Sequence, residues 1–78
     1  MESSDRWHGR LSCQYFWVDT RVARLNDRWI ASVDTPYGPS LGCGRTALAA
    51  LIVALEPFEG VAMQLVNSAP RDLLKLLG

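Results

Sequence analysis

Aromatic and β-branched residues crowd the stretch from Leu11 to Leu25, which holds Tyr15, Phe16, Trp17, Val18, Thr20 and Val22. Such residues favour strand. Asn26-Asp27 breaks the run, and Arg28 to Asp34 (RWIASVD) resumes an alternation. Both Asn and Asp tolerate positive φ, so the dipeptide suits a two-residue hairpin loop. In that register Arg24 faces Trp29, Val22 faces Ala31 and Thr20 faces Val33. These positions share a face with Val18 and Phe16, apolar enough to be the core side. The opposite face carries Arg21, Ala23, Leu25, Arg28, Ile30 and Ser32 and is expected to be mostly solvated. The register also sets Asp19 against Asp34, so the pairing should end or bulge there. A turn at Asp19-Thr20, giving three short strands, is the competing reading.

Thr35 to Gly44 (TPYGPSLGCG) holds two prolines and three glycines and is expected to be an irregular connection. Thr46 to Glu56 reads as a helix, with Thr46 as N-cap and Pro57 blocking extension. Its body, ALAALIVAL, is apolar all round. A helix without a polar face is buried on more than one side, either within the fold or in an oligomer. Gly60 to Ser68 (GVAMQLVNS) fits both periods. Val61 with Leu65 makes a helix stripe, while Val61, Met63 and Leu65 make a strand face. The flanking Gly60 and Asn67-Ser68 favour the strand. Pro70 to Leu77 reads as a closing helix, with Pro70 in its first turn and Asp72 near its positive end. The expected fold is α+β in the order β-β-α-β-α, as one domain over residues 11–78. Residues 1–10 (MESSDRWHGR) show no period and are expected to form a flexible lead-in onto which Trp7 docks.

The chain has 78 residues, enough for one small domain. A domain this size buries a modest share of its surface, so a partner or a second copy would add to its stability. Eight basic residues balance eight acidic ones. Dedicated nucleic-acid binders usually carry a basic excess, because phosphate neutralisation dominates their affinity. Zero net charge also lowers the barrier to self-association. Cys13 and Cys43 do not form a disulfide framework, residues 1–10 do not resemble a signal peptide, and the longest apolar run, Ala47 to Leu55, is too short to span a bilayer. A cytoplasmic protein with reduced thiols is the expectation.

Few residues ask for chemistry. Gly42, Gly44, Arg45 and Thr46 precede the main helix, where backbone N–H groups and the dipole would suit an anion. The plainer reading is that two glycines make a turn, since phosphate fingerprints need more glycines or a Lys at fixed spacing. Cys43 at that helix start could be a lowered-pKa thiol, but the one histidine, His8, lies in the lead-in, so no base stands beside it. His8 with the two cysteines matches no zinc spacing. Asp19, Asp27, Asp34, Glu56 and Glu59 each have a structural explanation and none pairs at a telling interval. No cofactor, metal or catalytic residue is expected. Arg21, Arg24 and Arg28 cluster on the hairpin near Trp17 and Tyr15, a composition found at binding hot spots. It could equally grip phosphates, or be a solvated face.

The stretch RWIASVDTPYGPSLGCGRTALAALIVAL resembles the HicB-like antitoxin domain. Asp34, Pro36 and Gly38 stand where that family has an Asp-x-Pro-Gly turn. Gly44 and Thr46 match its later Gly-x-Thr, and Ala50 and Leu51 match its helix. The likeness spans Tyr15 to Leu55. It departs in an extra Tyr37, a Gly38–Gly44 gap one residue longer, and Ala49 in place of an acidic residue. The resemblance implies a double-stranded-RNA-binding-like or partial ribonuclease-H-like fold that neutralises a small toxin protein. Antitoxins of that kind often add a C-terminal DNA-binding segment, which the sequence to Gly78 does not contain, so operator binding is not expected. The functional expectation is a non-enzymatic protein-interaction module, antitoxin-like or inhibitor-like, with a homodimer possible. The alternative is a nucleic-acid binder using the hairpin arginines.

Overall fold

The computed structural model describes residues 5–77. Four strands come first: β1 (Arg6–Ser12), β2 (Trp17–Leu25), β3 (Arg28–Thr35) and β4 (Gly38–Gly44). They form one antiparallel meander in the order β1-β2-β3-β4. Three helices follow: α1 (Ala47–Ala54), α2 (Ala62–Asn67) and α3 (Arg71–Leu77), with a 3-10 turn over Glu56–Phe58 between the first two. The α+β class stands. The order is four strands then three helices, which corrects the expected β-β-α-β-α.

The β2–β3 hairpin has the expected register: Arg24 pairs with Trp29, Val22 with Ala31, Thr20 with Val33. Asn26 sits at φ 60°, the left-handed conformation its short amide side chain tolerates. The β2–β3 ladder stops at Thr20–Val33, one pair short of Asp19 against Asp34. Two facing carboxylates would repel there.

Two expected segments are strands instead of loops. Arg6–Ser12 pairs along β2 from Ala23 to Trp17, so the ordered domain begins before Leu11 and residues 6–10 are no lead-in. Of the expected flexible segment, residues 1–4 lie outside the described residues. Gly9 permits this strand: a Cβ there would lie 2.5 Å from the Trp7 ring, which covers it. Gly38–Gly44 pairs with β3 through a turn in which Thr35 Oγ1 accepts a hydrogen bond from the Tyr37 N–H (3.1 Å). Pro39 is tolerated because β4 is an edge strand, where a missing N–H need not break the ladder.

Residues 62–67 form a helix, which corrects the expected strand over Gly60 to Ser68. Leu65 is fully buried, and Val61, Ala62 and Val66 pack half-buried against the core; a helix puts the pairs 61/65 and 62/66 side by side, whereas a strand would send one pair to each face. Ser68 Oγ fixes this helix to the sheet. It accepts a hydrogen bond from the Ser12 N–H (2.9 Å) and donates to the Leu65 carbonyl (2.7 Å).

The core lies between the helices and one sheet face. Leu11, Val18, Thr20, Val22, Ala31 and Val33 come from the strands; Leu51, Leu55, Leu65 and Leu73 come from the helical layer. α1 lies over β4 and β3, while α2 and α3 reach β1. Thr46 caps α1, its Oγ1 accepting from the Ala49 N–H at 3.0 Å. Thr46→Ala is expected to cost about 1 kcal/mol. It should appear as a lower urea midpoint with unchanged slope. Among the described residues no helix is long and apolar enough to cross a membrane.

Candidate functional site: the uncovered face of the sheet

Strand alternation sends every second side chain to the face away from the helices. Among the described residues no element covers that face. Its rows follow from the pairing: Arg10 beside Asp19; His8, Arg21, Ser32 and Leu41; then Arg6, Ala23, Ile30 and Cys43. Arg28 and Leu25 close one end, and Ser12 with Trp17 the other. The face therefore holds a short apolar strip, Ala23–Ile30 with Leu41, bordered on the β1 side by arginines. Leu41 is 66% exposed, unusual for a leucine in the middle of a strand.

The expected hairpin cluster is divided. Arg21 and Arg28 are on this face. Arg24 belongs to the opposite face and is held at the hairpin end, its Nε donating to the Asn26 carbonyl at 3.0 Å and a guanidinium nitrogen 3.9 Å from Asp5. Trp17 begins β2 on the uncovered face and is half exposed. Arg10 lies over it, with Cζ 3.8 Å from the ring centroid, and its Nε is 3.4 Å from Asp19 Oδ1. Tyr15 is in the β1–β2 connection, exposed and apart from the arginine rows. Arg6, His8 and Arg10 were missed in the sequence. Their signal was the alternation of Arg6, His8, Arg10 with Trp7, Gly9, Leu11.

Gly42 and Gly44 have a packing role. A Cβ at Gly42 would overlap the Ala50 carbonyl oxygen, and one at Gly44 would lie 2.8 Å from the Ala49 Cβ. Their function is to let α1 sit directly on β4. Thr46 Oγ1 takes the Ala49 N–H at the helix start, and Arg45 is exposed. Cys43 is a free, exposed thiol on the outer face and Cys13 a free, half-buried one. Among the described residues no three His, Cys, Asp or Glu side chains gather to hold a metal.

Comparison with protein-family models, with curated proteins and with solved structures returned no match in any of the three.

Proposed function

We propose that the domain is a non-enzymatic protein-interaction module that meets an acidic protein partner through the uncovered sheet face. The observation that carries this reading is the apolar strip of Ala23, Ile30 and Leu41 lying beside Arg6, Arg10 and Arg21. Apolar contact area with arginines at its border is how interfaces combine affinity with orientation. A nucleic acid would draw on the same arginines, but single-strand binding also needs aromatic platforms across the face. Among the described residues the face offers Trp17, at a corner and already beneath Arg10, and the His8 ring on the edge strand, with no aromatic ring from β3 or β4.

An antitoxin-like or inhibitor-like role fits a small domain with one open face. The residues behind the HicB-like resemblance occupy coherent places: Asp34, Pro36 and Gly38 around the β3–β4 turn, Gly44 and Thr46 at the strand–helix junction, and Ala50 and Leu51 on the buried side of α1. Gly44, Thr46, Ala50 and Leu51 each have a packing or capping reason to be there, so these positions bear on how α1 meets β4 and not on a shared partner. A homodimer belongs to the same reading, through the side of α1 where Ile52 and Val53 stay exposed. Two free thiols suit a reducing, cytoplasmic setting.

The test is affinity capture with the wild type and with an Arg21→Glu, Arg28→Glu double variant of unchanged circular dichroism. A stoichiometric partner retained by the first and lost by the second supports the face as interface, and growth arrest by that partner produced alone would make the role antitoxin-like. Retention of the partner by both would refute the assignment of the face. Recovery of nucleic acid instead, with affinity falling steeply in salt, would replace this reading with the nucleic-acid one.

A further inference from the structure

The early end of the β2–β3 ladder leaves an opening in the sheet. Beyond Thr20–Val33 the strands diverge, and a cleft of about 370 Å³ lies between residues 16–19 and residues 34–36. Its walls are mostly apolar: Phe16, Trp17, Val18, Pro36 and, from the 3-10 turn, Phe58. Phe16 and Phe58 pack on one another with centroids 5.5 Å apart. The turn that presents Phe58 is fixed by its N–H, which donates to the Leu55 carbonyl at 2.8 Å. Leu55 itself is fully buried.

Asp19 and Asp34 are the two charged groups of this cleft. Asp19 is occupied by Arg10, whose guanidinium also covers Trp17. That corner thus already selects a planar cation, by one carboxylate and one aromatic face. Asp34 has no ion-pair or hydrogen-bond partner for its side chain among the described residues. An apolar slot bordered by an unneutralised carboxylate is complementary to a cation on an apolar stem, because the stem is desolvated while the charge stays paired at the rim.

We propose that the cleft between Phe16, Phe58 and Asp34 binds a cationic group carried on an apolar stem, either a small amine or the arginine or lysine side chain of a polypeptide. The cleft adjoins the end of the outer face that Trp17 and Asp19 occupy, but it involves neither the apolar strip nor Arg21 and Arg28, so the two readings can fail separately.

Titration of the full chain with 4-phenylbutylamine, its neutral analogue 4-phenylbutanol and the anion 4-phenylbutyrate, followed by amide and indole NMR shifts, tests it. The amine is expected to shift the Trp17 indole and the amides of Asp34, Thr35, Tyr37 and Phe58, and to bind more tightly than the alcohol. The anion should bind least. Asp34→Asn should weaken the amine roughly threefold, the size of an exposed ion pair, and leave the alcohol unchanged. The dipeptide acetyl-Phe-Arg-amide identifies the source. Tighter binding than the amine marks a polypeptide side chain as the occupant, and weaker binding marks a small amine. Equal binding of amine and alcohol, indifference to Asp34→Asn, or shifts confined to other surfaces would each overturn the proposal.

Discussion

Gly42→Ala is expected to remove a large share of the domain's stability. Gly42 lies on the helix-facing side of β4, opposite Ala31. A Cβ there would overlap the Ala50 carbonyl oxygen and stand 2.5 Å from the Ala54 nitrogen. Both are backbone atoms of α1, so no rotamer change relieves the clash and the helix must lift. Lifting it separates Ala50, Leu51 and Ala54 from the sheet, and all three are fully buried. Overpacking a core with one methyl typically costs about 1–3 kcal/mol where side chains can yield. A rigid backbone contact puts Gly42→Ala at the top of that range or above, against a total of roughly 4–12 kcal/mol for a chain this long. Gly60→Ala is the internal control, since nothing lies within 4 Å of a Cβ there and its φ is not left-handed. It should be neutral or stabilise by up to about 1 kcal/mol. Urea unfolding followed by tryptophan fluorescence measures both. Equal midpoints would mean that α1 does not rest on β4.

The same glycine explains why β4 was hidden in the sequence. A run with Gly38, Gly42, Gly44, Pro36 and Pro39 reads as loop when each residue is weighed by its own backbone preference. Gly42 and Gly44 are there for contact with Ala49, Ala50 and Ala54, residues of an element further along the chain. Local composition carries no trace of that. The β2–β3 hairpin was legible for the opposite reason: a two-residue turn fixes the register, and period-two alternation fixes the buried face. β1 lay between these cases. Its alternation was present, but Gly9 and the charged flanks obscured it, and the Trp7 ring that fills the space over Gly9 shows only in three dimensions. The helix α2 was ambiguous because six residues give too short a sample to separate a period of two from 3.6. The candidate face was accordingly half visible. Arg21 and Arg28 could be placed from the hairpin alone, whereas Arg6, His8 and Arg10 needed β1.

Leu51→Ala and Ile52→Ala, adjacent and equally apolar in sequence, are expected to differ sharply. Sequence pattern makes α1 apolar on every side and so assigns both residues to buried surroundings. The structure separates them: Leu51 is fully buried, and Ile52 is 48% exposed with Val53 beside it at 39%. Truncating Leu51 removes three carbon atoms from the centre of the core and leaves a cavity between α1 and the sheet. The cost should be about 3 kcal/mol, within the range of roughly 2–5 kcal/mol for buried leucines. Ile52→Ala in a monomer should cost under about 1 kcal/mol, because half of that side chain is already in water and alanine is the better helix former. Thermal melts across a dilution series add a further distinction. A concentration-independent melt with a small Ile52→Ala effect makes α1 a one-sided helix, covered only by elements of its own chain. If the wild-type melting temperature instead rises with concentration and Ile52→Ala abolishes that rise, the exposed side of α1 is the contact between two copies. The uncovered sheet face would then remain free in the dimer, one on each protomer, for the acidic partner we propose.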